Sequence, residues 1–402
     1  MDHYAVPPQY YPLPRPSMFA KNLIKMGHEV TIIAASTVHN SDVNLITDGA
    51  RVKKATDDGV PYVFIRCRGY RGNGLGRVNN ILEFAAKLPG VFDTLEKPDA
   101  IVATSFDPIS CWQAIRYAKK HGIRAIAQIA DLWPETLVAY GVAGENNPVV
   151  RALRALEKKI YTSADAIVFT MEGAYDYIRA QGWEKAVPRE KVCFINNGVD
   201  LALFEQNKKE CPSDDAELAD PSLFKIVYTG SIGKSNRLDL LVDAAALLED
   251  KSIRILIWGS GDELENLKAR VRAEGIRNVS FKGRAEKKQI PAILAGGDAL
   301  FLDAFDERVS RYGISSNKLF EYFASGKPIL MCALAGHNPA ARFDCSLTYA
   351  ATPEGVAETI RAARSLTPER REKMRQGALA AARAYSYDAL SEKLNCVVEG
   401  KL

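Results

Sequence analysis

The sequence predicts an α/β fold with two Rossmann-like, doubly wound domains that face a cleft. Three observations indicate this fold. Short β-rich runs alternate with longer amphipathic stretches, a polar segment divides the chain near its middle, and 402 residues exceed the usual size of one domain. Hydrophobic residues make up 47% of the chain and charged residues 25%, which is typical of globular proteins. We therefore expect two parallel sheets, each covered by helices.

The first domain is predicted over residues 1–204. Its first helix is expected at 17–26, with Ser17 as N-cap and Gly27 as C-cap. Strands are expected at six apolar runs: HEVTIIAA, PYVFIRC, AIVAT, RAIAQIA, AIVFT and VCFIN. The chain opens on the proline-rich run YAVPPQYYPLPRP, where such a domain usually opens on a central strand. We therefore expect that the first strand is missing, and that the native chain begins upstream of Met1.

A polar stretch with two prolines, residues 205–222, is predicted to be the linker. The second domain is predicted over 223–366, with strands at FKIVYTG, IRILIWG, VSFKG, ALFLDAF and PILMCA. Right-handed crossovers would make these strands a second parallel sheet. Two terminal helices are predicted over 367–402, the first capped by Thr367, and they are expected to cross back to the first domain.

Composition excludes several classes of protein. A formal net charge of +4 is too weak for a dedicated nucleic-acid binder, but it suits anionic small molecules or an anionic membrane surface. The seven cysteines include no pair at the two-residue spacing of a zinc or redox site, so we expect no metal and a reducing, cytoplasmic location. No run of roughly 18 apolar residues is present, so any membrane contact is expected at the surface.

Residues 228–237, YTGSIGKSNR, form the first candidate for a phosphate-binding loop. Gly230 and Gly233 would let the backbone approach a ligand just beyond a strand, where ligands lie in open α/β sheets. Lys234 and Arg237 bring cations to the start of the next helix. The alternative is a tight turn with two solvated basic side chains.

A second candidate lies in the passage GISSNKLFEYFASGKP at 313–328. Small and polar residues surround the predicted start of a short helix: Gly313, Ser315, Ser316, Asn317, Lys318 and Glu321. Free amides at this helix start and the Lys318 ammonium would stabilise phosphate oxygens, while Glu321 would accept hydrogen bonds from a ribose. The alternative is an intrahelical pair between Lys318 and Glu321. The two candidates together indicate a nucleotide-sugar site.

Other candidates are weaker. Gly259 in WGSGDELENLK is interpreted mainly as part of a structural turn, because acidic residues at the next helix start disfavour a phosphate. Asp131 in DLWPE and His39 in ASTVHN follow predicted strands and would contact an acceptor or reacting hydroxyl. The safer interpretations are a helix N-cap and an isolated histidine. The basic, glycine-rich stretch 66–77 would meet a lipid diphosphate or anionic headgroups, unless it is only a solvated loop.

These motifs, with NNGVD at 196–200 and GHEVTIIAAS at the first helix–strand junction, resemble those of the retaining glycosyltransferases of the GT-B fold in family four. The resemblance covers nearly the whole chain and is closest to the branch that builds bacterial O-antigen and capsule polysaccharides, including N-acetylfucosaminyl transferases. It implies an acceptor-binding first domain and a donor-binding second domain. It also implies a UDP-sugar donor, a lipid-linked saccharide acceptor and peripheral association with the inner leaflet of the membrane.

The resemblance assigns roles to individual residues. The second glutamate of the family's paired-glutamate motif falls on Glu321, whereas the first falls on Gly313. The family's arginine position is Ser231 and its lysine position is Asn236, so Lys234 and Arg237 are displaced substitutes. These three departures put the identity of the donor sugar in question more than the reaction.

Three cations, Lys234, Arg237 and Lys318, would stabilise the departing diphosphate in a same-face reaction without a covalent intermediate. Gly283 and Arg284 would present backbone to the nucleotide base, or else form only a strand-ending turn. No cofactor is expected, since the UDP-sugar is a substrate, and no nucleic-acid partner. Two rivals stay open: a sugar-nucleotide epimerase or hydrolase of the same architecture, and a non-catalytic nucleotide-sugar-binding protein.

Overall fold

The computed structural model describes residues 1–10, 15–39, 41–72, 74–303 and 307–401. The chain forms two compact units: unit 1 comprises Met1–Asn196 and Leu390–Leu402, and unit 2 comprises Asn197–Ala389. Each unit contains parallel strands covered by helices, which confirms the predicted fold class. Within the described ranges, no helix is long and apolar enough to cross a membrane.

Unit 1 contains two groups of strands. Their bounds are β1 (Ile32–Ala35), β2 (Val52–Asp57), β3 (Val60–Ile65), β4 (Ala100–Thr104), β5 (Arg124–Ile129), β6 (Ala166–Phe169) and β7 (Val192–Phe194). The strand orders are β2-β3-β1 and β4-β5-β6-β7, and every pair except β2–β3 is parallel. The sequence analysis missed β2, because half of its residues VKKATD are exposed, none is buried, and they lack an apolar alternation.

Residues 1–3 lie between the two groups of strands. The Thr104 amide of β4 donates to the Met1 carbonyl at 3.0 Å, and the Ala35 amide of β1 donates to the His3 carbonyl at 3.1 Å. This short segment therefore occupies the place where the sequence analysis expected a missing strand. The sequence MDH does not predict this segment, because a buried central strand normally appears as an apolar run.

The helices of unit 1 are α1 (Arg15–Lys25), α2 (Leu75–Phe92), α3 (Pro108–Lys120), α4 (Glu135–Ala139), α5 (Pro148–Ser163) and α6 (Ala174–Ala180). Ser17 is not the N-cap of α1, because it lies buried inside the helix. Its neighbour Arg15 is also buried, and its guanidinium donates to the backbone carbonyls of Ile195 and Asn196 beyond β7.

Unit 2 contains one parallel sheet of six strands. Their bounds are β8 (Phe224–Ser231), β9 (Ile253–Ser260), β10 (Val279–Gly283), β11 (Ala299–Leu302), β12 (Ile329–Cys332) and β13 (Ser346–Tyr349). The order is β10-β9-β8-β11-β12-β13, so β8 lies near the centre. Five of these strands match the predicted runs. The end of the run ALFLDAF, at 304–305, lies outside the described residues, and the half-exposed β13 was missed.

Unit 2 carries ten helices within its described part: α7 (Leu201–Glu210), α8 (Ala216–Ala219), α9 (Leu238–Ala246), α10 (Leu264–Ala273), α11 (Ile290–Gly296), α12 (Glu307–Ser310), α13 (Asn317–Ser325), α14 (Pro339–Arg342), α15 (Pro353–Arg364) and α16 (Pro368–Ala384). A last helix, α17 (Tyr387–Val398), begins in unit 2 and ends in unit 1. As predicted, the Thr367 side chain caps α16.

The predicted linker, 205–222, belongs to unit 2, and the units divide the chain at Asn196 instead. It contains the end of α7 and all of α8. An aspartate is the N-cap of each helix. The Asp200 carboxylate accepts from the Leu203 amide of α7 at 3.0 Å, and the Asp215 carboxylate accepts from the Leu218 amide of α8. The polar composition that suggested a linker thus comes partly from N-caps and exposed helix faces.

Candidate functional site

In unit 2, the loop after β8 passes very close to the end of β9. A Cβ added to Gly259 would lie 1.8 Å from the Gly230 carbonyl oxygen, so no side chain fits there. A Cβ on Gly233 would lie 3.2 Å from the Asp262 carboxylate. These glycines allow the ends of two parallel strands to approach, and Gly259 lies inside β9 and not in the predicted turn.

Lys318 of α13 reaches across to this loop. Its ammonium donates to the Asn236 side-chain oxygen at 2.7 Å and to the Tyr228 hydroxyl at 3.2 Å, and it lies 5.1 Å from the centre of the tyrosine ring. A Cβ on Gly230 would lie only 2.9 Å from the Lys318 side chain. Burial lowers the pKa of Lys318 to about 8, against the opposing charge of Glu321. The structure therefore joins the two predicted phosphate-binding passages through one cation.

The N-terminus of α13 lies beside this cation. Ser316 is the N-cap residue, but its side chain makes no capping hydrogen bond. Ser315 is tied down through its carbonyl, which accepts from the Asn197 side chain, and Asn317 begins the helix. Gly313 has a φ of 126°, a conformation that favours glycine. Amides at such a helix start suit an anion.

Glu321 pairs with Lys287 and not with Lys318. Lys287 belongs to the short 3-10 helix that follows β10, and its ammonium lies 2.5 Å from the Glu321 carboxylate. The intrahelical pair considered as an alternative for Lys318 is therefore not formed. Gly283, with a φ of 76°, ends β10, and the exposed Arg284 follows it before this 3-10 helix. Helix α13 thus connects the loops after β8 and β10.

Arg237 occupies an unusual backbone position. It has φ 44° and ψ 45°, in the left-handed region, and it is the N-cap residue of α9. Its guanidinium lies 3.5 Å from the carboxylate of Asp303, whose side chain is fully buried at the end of β11. Non-glycine residues in this conformation are rare and cluster at functional sites. Asp303 was missed, because it lies inside the strand-like run ALFLDAF and belongs to no motif.

The other cation of the loop, Lys234, is exposed. Ser231 is also exposed, its carbonyl accepts from the Tyr228 hydroxyl at 2.6 Å, and its hydroxyl accepts from Asn236 at 3.1 Å. Tyr228 was missed by sequence reasoning, since a tyrosine inside an apolar strand reads as core. It holds both the loop backbone and Lys318 in place.

In unit 1, His39 and Asp131 lie at the carboxyl ends of β1 and β5. The His39 ring nitrogen lies 2.6 Å from the Tyr70 hydroxyl, so His39 is not isolated. Burial lowers the pKa of His39, and Arg77 adds to this shift. Asp131 is exposed to solvent, yet the protein packed around its carboxyl raises its pKa, with Arg77 opposing. Asp131 does not cap α4, whose start has no side-chain cap.

Arg77 of α2 contacts Tyr4, which lies beside His39 at this edge of unit 1. Its guanidinium donates to the Tyr4 hydroxyl at 3.0 Å and lies 5.5 Å from the centre of that ring. The Tyr4 ring also stacks on His3 and meets the His39 ring edge-on. Arg77 belongs to the predicted basic stretch, whereas Tyr4 and Tyr70 were missed because nothing in their sequence context marks them.

A buried hydrogen-bond network holds His3, the residue on which the Tyr4 ring stacks. The two ring nitrogens of His3 lie 2.9 Å from the Asp107 carboxylate and 2.7 Å from the Asn80 side-chain oxygen. Asp107 also caps α3, and the Asn80 amide donates to the carbonyl of Arg68. The polar edge of unit 1 is therefore held rigidly by groups that are themselves hydrogen-bonded.

Comparison with known protein families assigns both units, and the residues described in each, to domains of one kind of enzyme. Residues 14–198 match the model of the glycosyl transferase 4-like domain, and residues 224–365 match that of the glycosyl transferases group 1. The chain is a glycosyltransferase. Its first family domain lies within unit 1 except for two residues, and its second lies within unit 2.

Individual relatives agree with this assignment. The glycosyltransferase is 26% identical over 288 residues to the putative colanic acid biosynthesis glycosyl transferase WcaI of Escherichia coli (strain K12), covering 69% of each chain. Its fold matches the structure of sucrose-phosphate synthase from Thermosynechococcus elongatus with a TM-score of 0.74, at 15% identity, over 100% of this chain and 94% of the other.

A second structure, described as trehalose-6-phosphate from E. coli bound with UDP-2-fluoro glucose, matches with a TM-score of 0.73 at 12% identity, over 99% and 98% of the two chains. At these identities the two structural matches establish only the fold, which is the two-domain GT-B fold of glycosyltransferases.

Proposed function

We propose that this glycosyltransferase moves a sugar from a UDP-sugar to a lipid-linked saccharide, with retention of configuration, in the synthesis of a bacterial surface polysaccharide. The donor sugar would be an N-acetylated amino sugar or a deoxy sugar. The observation that carries the proposal is the position of Lys318, whose ammonium lies between the loop after β8 and the N-terminus of α13. A cation and helix amides at one point suit a diphosphate.

In the proposed transfer, the leaving UDP takes both the electron pair of the broken bond and the proton of the acceptor hydroxyl. The bond between the anomeric carbon and the phosphate oxygen breaks, and UDP leaves with the electron pair. An acceptor hydroxyl bonds to the same carbon and gives its proton to the departing phosphate. Lys318, Arg237, Lys234 and the first amides of α13 would stabilise the negative charge that develops on this phosphate.

The carboxylates near these cations support a reaction without a covalent intermediate. Glu321 is paired with Lys287, and the buried Asp303 lies beside Arg237. The negative charge of each carboxylate is therefore balanced by a neighbouring cation. A nucleophilic carboxylate would have to reach the anomeric carbon, whereas Glu321 and Asp303 are each engaged with a cation. Glu321 is the proposed ribose contact, with its position fixed by Lys287.

The acceptor is assigned to unit 1. His39 and Asp131 lie at the carboxyl ends of parallel strands, where ligands bind in open α/β sheets. The relative WcaI is named for colanic acid biosynthesis, which supports a saccharide acceptor in polysaccharide synthesis. A lipid-linked acceptor would also require the cytoplasmic enzyme to work at the inner leaflet of the membrane.

Replacing Lys318 with alanine tests this proposal. We expect Lys318→Ala to reduce kcat by on the order of a hundredfold, because the charge on the leaving group loses a buried cation. Turnover is measured as UDP release with a panel of UDP-sugars and a lipid-linked acceptor. The matched control is Lys268→Ala on α10, a half-buried lysine outside the site that is paired with Glu265.

Near-normal turnover in a folded Lys318→Ala protein would remove this residue from the mechanism. Incubating the enzyme with a UDP-sugar and no acceptor tests the first rival function: rapid isomerisation or hydrolysis of the donor would indicate an epimerase or hydrolase. Donor binding without turnover across a panel of lipid-linked acceptors would indicate a non-catalytic protein.

A further inference from the structure

Asp303 lies at the carboxyl edge of the sheet of unit 2, directly after β11. Its side chain is 0% exposed, and its carboxylate lies 3.5 Å from the Nε atom of Arg237, whose side chain is 23% exposed. Strands β11 and β8 are parallel neighbours, so Asp303 and the loop after β8 lie at the same edge of the sheet. The ion pair therefore joins the candidate phosphate-binding loop to the adjacent strand.

Two buried side chains, Cys332 and Tyr349, adjoin the Asp303 carboxylate. They are the last residues of β12 and β13, and they pair with each other in the sheet. Burial raises the pKa of Cys332 to about 11 and also raises that of Tyr349, and the Asp303 charge adds to both shifts. Both groups are neutral at physiological pH, so of these three neighbours only Arg237 carries a charge that balances the carboxylate.

Arg237 is held in place through both its backbone and its side chain. Its left-handed backbone conformation is unfavourable for a residue with a Cβ, and its side chain makes no capping hydrogen bond to α9. The guanidinium instead contacts Asp303. The preceding residue, Asn236, accepts from the Lys318 ammonium at 2.7 Å. Two successive residues of the loop are thus fixed from two different elements, α13 and the end of β11.

The negative charge of Asp303 is by itself unfavourable for a diphosphate. A carboxylate repels phosphate oxygens, and a buried carboxylate is poorly screened by salt. A site that needed only positive charge would gain nothing from a buried acid beside Arg237. A guanidinium, however, has five N–H donors in a rigid plane. The donor on Nε can face Asp303 while those on the two terminal nitrogens face a ligand, and the carboxylate then fixes the orientation of the plane.

We propose that Asp303 is a positioning residue, which holds the guanidinium of Arg237 at the angle where its terminal nitrogens receive the diphosphate of the sugar nucleotide. Asp303 does not touch the ligand itself. It acts through Arg237, because a guanidinium that is already oriented loses less conformational freedom when the diphosphate binds. This inference rests on the proposed function, which supplies the diphosphate ligand.

Calorimetric titration of the full chain with UDP, without acceptor, tests the role of Asp303. Asp303→Asn keeps the shape of the side chain and removes its charge. We expect the affinity for UDP to fall by about tenfold, because Arg237 is no longer oriented. Coulomb's law alone predicts the opposite sign, since loss of a nearby negative charge should leave UDP binding unchanged or strengthen it. Unchanged or tighter binding would therefore overturn the proposal.

The matched control is Asp298→Asn at the amino end of the same strand. The Asp298 carboxylate accepts from the Lys225 amide at 2.8 Å and lies 3.9 Å from the Lys225 ammonium, so it too pairs with a cation. This variant should keep the UDP affinity of the unaltered protein. An equal loss in Asp298→Asn would show that the effect at Asp303 is a general one of stability, and would overturn the proposal.

A double-mutant cycle separates positioning from a structural role. In the background Arg237→Ala, Asp303→Asn has no guanidinium to release and only removes a repulsive charge. We therefore expect it to leave UDP affinity unchanged or to raise it in that background, the reverse of its effect in the unaltered protein. A merely structural aspartate would weaken UDP binding by the same factor in both backgrounds, and that result would contradict positioning.

Arg237→Lys provides a second test that leaves Asp303 in place. An ammonium that faces Asp303 has no rigid plane of donors to turn toward a ligand. UDP should therefore bind this variant nearly as weakly as it binds Arg237→Ala. Unaltered affinity in Arg237→Lys would show that charge without orientation is enough, and would overturn the proposal even if Asp303→Asn failed to fold.

Transfer of sugar from UDP-sugars to lipid-linked acceptors is measured separately. A protein that binds UDP with the expected pattern but transfers no sugar would contradict the proposed function and leave the role of Asp303 standing. Normal transfer with a UDP affinity that Asp303→Asn does not lower would contradict the role of Asp303 alone. Absence of UDP binding by the unaltered protein would overturn both.

Discussion

At the scale of single residues, Lys318 and Glu321 of α13 contact different partners. The sequence places Lys318 and Glu321 on one helix face, three residues apart, which suggested either a shared ligand or an ion pair. In the structure they separate: Lys318 reaches Asn236, and Glu321 reaches Lys287. Both partners are distant in sequence, so helical spacing could identify the two residues but not their contacts.

The pKa of Lys318 predicts a pH dependence. Because burial lowers this pKa to about 8, the ammonium is charged below pH 8 and becomes neutral above it. We expect kcat/KM, which reports ionisations of the free enzyme, to fall as the pH rises through about 8. Lys318→Arg should remove this fall, since a guanidinium stays protonated there.

The pH profile of Lys268→Arg, measured with the same donor and acceptor, is the control and should match that of the unaltered enzyme. If Lys318→Arg is active and keeps the unaltered fall near pH 8, another group is responsible for it.

At the scale of elements, the close approach of the β8 loop and α13 shapes the candidate site. Gly230 has a φ of 146°, and a Cβ there would press against the Lys318 side chain. We expect Gly230→Ala to lower kcat toward the level of Lys318→Ala and to destabilise unit 2 by roughly 1–3 kcal/mol. Steady-state kinetics and thermal unfolding measure the two effects.

Gly275→Ala is the matched control. Gly275 also has a positive φ, of 66°, but a Cβ there would meet nothing within 4 Å. This variant should lose stability and keep its kcat. Normal turnover in Gly230→Ala would show that Lys318 does not need its present position.

The sequence predicted most strands correctly because buried parallel strands are continuous apolar runs, as in RAIAQIA for β5. It missed β2, which has no buried residue, and β13, which has one; both strands are held by pairing with a neighbouring strand. The helices α7 and α8 were also missed, since their polar composition resembles that of a linker. Elements defined by their neighbours carry a weak signal of their own.

At the scale of the whole molecule, each unit has its own core and is expected to unfold with its own pH dependence. In unit 1, Glu157 of α5 is buried and accepts hydrogen bonds from the hydroxyls of Tyr161 and Tyr177, each at 2.7 Å. Burial raises the pKa of Glu157 to about 8, although both hydroxyls oppose the shift.

This buried carboxyl predicts that unit 1 loses stability as the pH rises. The unfolded chain releases the Glu157 proton near its ordinary pKa of 4.5, whereas the folded chain holds it up to about pH 8. The free energy of unfolding should therefore fall by up to roughly 1.4 kcal/mol per pH unit within this window. Below pH 4.5 the contribution is fully present, and above pH 8 it is lost.

Urea unfolding at several pH values measures this slope. Tryptophan fluorescence reports mainly on unit 1, because Trp112, Trp133 and Trp183 belong to it and only Trp258 belongs to unit 2. Glu157→Gln should remove the slope, and the exposed Glu190→Gln should keep it. A slope that is unchanged in Glu157→Gln would assign the pH dependence to other groups.

The division of the chain was harder to predict than its fold class. Alternating strands and helices were enough to indicate two parallel sheets. The boundary depends on which unit a polar segment packs against, and composition does not reveal that choice. Residues 1–3 are similar: their letters suggest a loop, yet hydrogen bonds to β1 and β4 make them part of the sheet region.

The contact between Lys318 and Asn236 has a consequence for how related sequences should vary. By resemblance, position 236 is where the family carries a lysine, and here the ammonium of Lys318 reaches that side chain from another element. Two ammonium groups this close together would repel each other. Among relatives, lysine is therefore expected to alternate between positions 236 and 318, with tyrosine at 228 accompanying the second arrangement.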